Sequence, residues 1–385
     1  MPEVPLHHLF IFVFNMRKNI YYYLQIYLFL IVISSSVFGY LKGVNSRFTL
    51  TENRSLAQKP ILKIQNLKTF PKLYSDFFND HFGFRPLLVQ LGNIIQVKLF
   101  KSSPNNLVTI GKDDWFFYNS EDTYLDSLHA HPFTDDELLK VKTNLVNAKE
   151  HWATQGAKFV FLIAPKAQTV YPELLPSYLK SSNGLSQREQ IKKYLQGSNI
   201  SIIDPTESLT LAKSLGQVYY KYDTHWNQLG AWVVYQQLLK SLSTDFPSLQ
   251  PTPLEDFTVS YADNPRKDLA VLVGGETFLH EEEPMLKLKS GEKALDIVSP
   301  CPNLYFQCPK IVKAIQGQGT PKALFLRDSF LTNVIPFLSE HFSESTYLWG
   351  IAPYSLQDFE STRPDVVIYE LTERDLWRLL TPVFE

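Results

Sequence analysis

A chain of 385 residues that is 44% hydrophobic and only 20% charged can bury one large core with smaller attachments, which excludes a disordered protein. Its 37 basic and 39 acidic side chains leave a formal net charge of -2 and no Lys/Arg run, so no electrostatic argument points to nucleic acid. The two cysteines, Cys301 and Cys308, close a short loop if the compartment is oxidising and are unpaired thiols otherwise; with no second Cys or His pair nearby, neither a metal nor a cofactor is expected.

Residues 20–40 run for about one bilayer's thickness without a charge, after Arg17-Lys18, and are expected to be a transmembrane signal anchor with residues 1–19 in the cytoplasm. A cleaved signal peptide is the alternative, since Ser34-Ser35-Ser36 offers small residues. Lys42, Arg47 and Arg54 dilute the charge asymmetry, so the orientation rests partly on function, and Met16 reads as a second candidate start. Residues 41–107 form a membrane-proximal segment expected to pack on the main domain; its 87–99 stretch has helical apolar spacing after Pro86.

The main domain is expected over 108–385. Two strand-like runs, 108–111 and 115–118, flank Lys112-Asp113-Asp114 as a hairpin. Thr134 and Glu137 fit a capping box for a helix in which Leu138, Val141, Leu145, Ala148 and Trp152 recur at helical spacing until Gly156. The apolar run 158–164 reads as a strand buried on both faces. Ser186 with Glu189 caps another helix, 200–204 is a strand, 206–215 a helix, and 227–242 a helix directly after Asp223-Thr224-His225-Trp226. Residues of about 243–320 break the rhythm with many prolines and Glu281-Glu282-Glu283; they read as an irregular insertion carrying some short strands rather than a separate domain, with the acidic run a solvated loop. Strands at 323–326, 346–349 and 366–369 and helices at 331–342 and 373–380 complete the alternation. The pattern predicts an α/β fold, a three-layer α/β/α sandwich on a mostly parallel sheet.

Side chains two apart on an extended segment share a face, so Asp223 can hold one nitrogen of His225 and leave the other as a base. Ser329, just after a predicted strand end where α/β sheets bind ligands, is the candidate nucleophile, and the helix start beside it offers unpaired N–H groups for an oxyanion. A serine hydroxyl needs such a base, and the base needs an orienting carboxylate. Trp226 is a candidate stacked lid, Gly230 a close packing contact, and Arg327 a candidate to hold an anionic intermediate or to pair with Asp328.

These residues carry a resemblance. Asp223-Thr224-His225-Trp226 with Gly230-Ala231, Arg327-Asp328-Ser329-Phe330, Glu52-Asn53-Arg54, the 111–118 stretch and 164–173 with Pro165-Lys166 together resemble the alginate O-acetyltransferase family of the AlgJ and AlgX type, with its SGNH-hydrolase-like domain. The resemblance implies a single-pass protein of the cytoplasmic (inner) membrane whose domain on the periplasmic or extracytoplasmic side moves acetyl groups to polysaccharide hydroxyls through Asp223, His225 and Ser329. A membrane-bound O-acyltransferase partner would supply the acetyl group. Lys166 and Tyr171 match the family's stretch after a strand and either line the site or support it. Arg327 departs from the pattern, standing where SGNH hydrolases commonly carry glycine. The same three residues would also serve an acetylesterase, and a non-catalytic scaffold of a polysaccharide-export complex is the third reading.

Overall fold

A computed structural model describes residues 6–43, 55–120, 131–179, 184–263, 267–298, 308–317, 319, 321–350, 353–355, 359 and 362–384. The chain divides into two compact units, Met1–Phe100 and Lys101–Glu385. In the first, helix α1 (Leu6–Leu41) is continuous, and its Ile20–Leu41 part is long and apolar enough to cross a membrane. Helices α2 (Phe70–His81) and α3 (Arg85–Ile94) both carry proline in the first turn, where a missing N–H loses no helical bond; Pro86 sits where the sequence placed it. A wider turn, Ile95–Leu99, extends α3.

The second unit starts with the expected hairpin, β1 (Val108–Ile110) and β2 (Phe116–Tyr118), turned by Asp113 and Asp114 at positive φ. Helix α4 (Asp135–Thr154) has the predicted Thr134/Glu137 box and buries Leu138, Val141, Leu145, Ala148 and Trp152. Strand β3 (Lys158–Ala164) is followed by the short α5 (Ala167–Val170), by α6 (Gln187–Tyr194) capped by Ser186, by β4 (Ser201–Ile203), and by α7 (Thr206–Ala212). Then come α8 (Gln228–Leu242), β5 (Phe257–Asp263), α9 (Asp268–Leu272), β6 (Glu282–Leu288), β7 (Leu295–Val298), β8 (Lys310–Ala314) and β9 (Lys322–Arg327). The stretch read as one helix over 331–342 is three pieces: tight turns Phe330–Val334, helix α10 (Ile335–Leu338) and Ser339–His341. Strands β10 (Glu344–Trp349) and β11 (Val366–Thr372) and a tight helical stretch, Glu373–Leu380, follow.

Seven strands form one sheet in the order β4-β3-β11-β9-β10-β8-β7. From β4 to β10 every neighbour is parallel, but β8 runs against β10, and β7 against β8. The expected mostly parallel sheet is therefore mixed. Strands β7 and β8 lie inside the segment read as an irregular insertion and are consecutive in sequence, and neighbours joined without a crossover pair antiparallel. Helices cover both faces: along β3, Val160 and Leu162 enter one core with α8, while Phe159, Phe161 and Ile163 enter another with α4 and the 373–380 stretch. This two-sided burial is why β3 reads as an unbroken apolar run.

The acidic run is not a solvated loop. Glu282 opens β6, Glu283 is buried against Lys267 at 2.5 Å, and Glu281 accepts the Lys221 N–H at 2.7 Å. These carboxylates hold up the loop that carries His225. Helix α7 also ends earlier than predicted, at Ala212.

Candidate active site

Asp223 and His225 lie on a tight loop rather than an extended strand. The loop is closed by the Tyr219–Trp226 bridge, with Tyr220 N donating to His225 O (3.1 Å) and Asn227 N to Val218 O (3.1 Å). The two side chains still meet: Asp223 Oδ1 accepts from His225 Nδ1 at 2.6 Å and from the His225 N–H at 2.9 Å. Asp223 Oδ2 accepts the Asp268 N–H at 2.9 Å. Asn227 caps α8 by accepting the Gly230 N–H at 3.1 Å, and a Cβ on Gly230 would lie 2.1 Å from Val218 O, so helix and loop approach too closely for any other residue. Gly230 is thus the close packing contact expected.

Ser329 arrives from the other side of the fold. It follows β9 directly and starts the Phe330–Val334 turn, with its Oγ 2.7 Å from His225 Nε2. With Nδ1–H donating to Asp223, Nε2 is the acceptor for the Ser329 hydroxyl. Asp328 shapes the turn: its Oδ1 accepts the Phe330 N–H at 2.7 Å and its Oδ2 the Thr372 N–H at 2.8 Å. Glu370 on β11 accepts the Asp328 N–H at 2.8 Å. Among the described residues no acceptor takes the Ser329 N–H, which leaves it available beside Oγ. Asn333 ties the two halves together, donating to Trp226 O at 2.8 Å.

Burial works against charge on both His225 and Asp223, yet their mutual attraction outweighs it: the imidazole's proton affinity is raised and the carboxyl's lowered. A residue the sequence reading missed adds to this. Asp268 accepts the Thr224 N–H at 2.8 Å, takes the Thr224 hydroxyl on its other oxygen, and lies 3.7 Å from His225 Nδ1. Burial, then the neighbouring Asp223, push its carboxyl up to about 6. No spacing rule could have found it, because a separate short helix, α9, brings it in. Arg374 was also missed; its guanidinium stands over the Phe330 and Tyr118 rings at 5.7 and 5.2 Å and opposes protonation of His225.

Asp223, His225 and Asp268 are, among the described residues, a group whose ligand atoms lie close enough for a metal ion. Their oxygens are already filled by His225, the Asp268 N–H and Thr224, and Nδ1 by Asp223. That donor set fits a hydrogen-bonded anchor for an imidazole better than a cation site.

Other expected site residues fall behind the site. Trp226 is wholly buried, edge-on to Phe330 at 5.0 Å, a core wedge rather than a lid. Arg327 is also wholly buried; it donates to Asp328 O, Thr332 Oγ1 and Cys308 O and faces Trp349, so it braces the serine turn from within instead of facing an intermediate. Tyr171 is buried, with its Oη accepting the Val218 N–H at 3.0 Å and its ring 4.4 Å from Trp115. Lys166 is buried too, and its N–H donates to Glu373 Oε2 at 3.1 Å. Tyr171 thus supports the His225 loop, and Lys166 ties the end of β3 to the 373–380 stretch. Cys308 is buried; Cys301, and so the possible disulfide, lies outside the described residues, as do Glu52-Asn53-Arg54. A cavity of about 570 Å³ lined by Lys289, Lys293, Glu340 and His341 contains none of Asp223, His225 or Ser329.

Residues 108–286 match the family described as the SGNH hydrolase-like domain of acetyltransferase AlgX. The chain is 28% identical over 170 residues to a probable alginate O-acetylase AlgJ of Pseudomonas syringae pv. tomato, a match covering 44% of this chain and 42% of that protein. A probable alginate O-acetylase AlgJ of Pseudomonas fluorescens is 23% identical over 321 residues, covering 79% of this chain and 77% of that one. The first of these matches thus spans less than half the relative's length. Among solved structures, Bacillus cereus PatB1 with a sulfonyl adduct superposes with a TM-score of 0.55 at 16% identity, over 70% of this chain and 95% of that chain, a likeness of fold. The resemblance to the AlgJ and AlgX type is borne out.

Proposed function

We propose, taking the AlgX-type SGNH-hydrolase-like domain of residues 108–286 as the premise, that this chain is an O-acetyltransferase acting on a cell-surface or secreted polysaccharide. The observation that carries the reading is the unbroken chain of hydrogen bonds Asp223–His225–Ser329, at 2.6 and 2.7 Å. Ser329 Oγ gives its proton to His225 Nε2 and attacks the acetyl carbonyl; the Ser329 N–H faces the developing oxyanion, and the leaving oxygen departs with the proton from Nε2. A sugar hydroxyl then gives its proton to Nε2 and attacks the acetyl-serine, and Ser329 recovers its hydroxyl proton. Asp223 holds the imidazole in the right tautomer through both steps.

In this reading Ile20–Leu41 anchors the protein in the cytoplasmic membrane, residues 41–107 join it to a catalytic domain of 108–385 on the extracytoplasmic side, and a membrane-bound O-acyltransferase supplies acetyl groups. The test uses the full chain in detergent with a chromogenic acetyl ester, with and without oligosaccharide acceptors. Acetylated sugar should form with wild type, and Ser329→Ala and His225→Ala should lower the rate by at least about a thousandfold. Free acetate at the same rate whatever the acceptor would make it an esterase. Equal labelling of wild type and Ser329→Ala by a serine-directed acylating probe would remove the assignment.

A further inference from the structure

We propose that residues 59–100 lie on an anionic lipid surface, apolar side chains down and lysines at the headgroups. The inference rests on the reading of Ile20–Leu41 as an anchor and extends it to the segment that follows. Leu88, Leu91, Ile95 and Leu99 recur at helical spacing through α3 and its extension and form one stripe, and each is exposed. On α2, Leu73, Tyr74 and Phe78 form a second exposed stripe, with Ser75, Asp76 and Asn79 on the opposite face. Ahead of both, Ile61, Ile64 and Leu67 are between 57% and 86% exposed. Scattered single apolar residues on a surface need no explanation, but stripes on successive helices do.

Charge chooses the occupant. Residues 55–100 hold Lys59, Lys63, Lys68, Lys72, Lys98 and Arg85 against Asp76 and Asp80, a net of +4 in a chain whose total is -2. The five lysines are exposed, among the same elements as the stripes. Apolar residues packed with an excess of lysine fit an interfacial helix on anionic headgroups, where long side chains reach to phosphate while their stems stay with the apolar face. A protein groove would take the stripes but has no use for the lysine excess. The end of the candidate span, Leu41, lies close enough along the chain to bring this segment to the same membrane.

The full chain would be placed in nanodiscs of phosphatidylcholine alone or with phosphatidylglycerol, and amide hydrogen exchange followed peptide by peptide. Peptides from 20–41 should be protected in both. Those from 61–100 should exchange about tenfold more slowly in the anionic discs, and high salt should abolish the difference. Joint Lys63→Gln, Lys68→Gln, Lys72→Gln and Lys98→Gln substitution should abolish it too, with 20–41 unchanged. Slow exchange of 61–100 irrespective of lipid would mean that protein covers the stripes, and fast exchange in both that nothing does; either overturns the lipid surface and leaves the anchor standing. Unprotected 20–41 peptides would overturn the anchor and this inference with it.

Discussion

Each of the two turns that meet at the candidate site has acids packed around it, and one acid from each behaves in the opposite way to the other. Beside His225, Asp223 is held ionised: burial opposes the charge, and the imidazole it grips more than offsets that cost. Behind Ser329, Glu370 is wholly buried next to Asp328, and burial followed by that neighbour pushes its carboxyl well above the usual range. The first acid acts through charge, whereas the second is pushed toward its protonated form and accepts the Asp328 N–H. What separates them is whether a cation prevails. His225 faces Asp223 directly, whereas at Glu370 burial and the neighbouring Asp328 outweigh the favourable charge of Arg327.

Replacing an acid by its amide is the sharpest way to break this contrast. Asp223→Asn should lower kcat by about four orders of magnitude, because the amide no longer fixes the tautomer or steadies the imidazolium. Removing the second acid outright, as Glu370→Ala, should destabilise the fold by about 2–4 kcal/mol in chemical denaturation, since it opens a cavity and leaves the Asp328 N–H buried without its acceptor. Smaller still is the effect of Asp268→Asn. After Asp223, Asp268 favours the protonated imidazole, so removing its charge lets His225 lose its proton at lower pH. The acid limb of kcat/KM should move down by less than about one pH unit, softened because the Asp268 side chain stays partly open to water. The smallest effect is expected for Glu370→Gln. An amide oxygen can accept the Asp328 N–H as the carboxyl does, so the rate should stay within about twofold of wild type. A large loss there would mean that Glu370 works ionised and that the two acids are alike.

The same contrast explains what could be read from the sequence. Asp223, His225 and Ser329 were legible because two lie in one short stretch and the third follows a strand end. The strands β3, β9, β10 and β11 were legible from apolar runs. Asp268, Glu370 and Arg374 were not, because each reaches the site from an element placed by tertiary packing. Strands β7 and β8 were expected only as unplaced short strands of the insertion: β7 is an exposed edge strand, and it shows no two-sided apolar run. Trp226, Arg327, Lys166 and Tyr171 have the chemistry of substrate contacts, and only their burial reveals them as supports.

Strand β11 lies between β3 and β9, yet it comes after every other described strand in sequence. It also brings Glu370 and Thr372 to the serine turn. A growing polypeptide therefore makes the His225 loop, then Ser329, and only after both the strand that joins the two halves of the sheet. Until residue 372 has been synthesised, β3 and β9 have no common neighbour and Asp328 lacks two of its partners. The order of synthesis thus leaves the Asp223–His225–Ser329 arrangement without its central strand until β11 has been made.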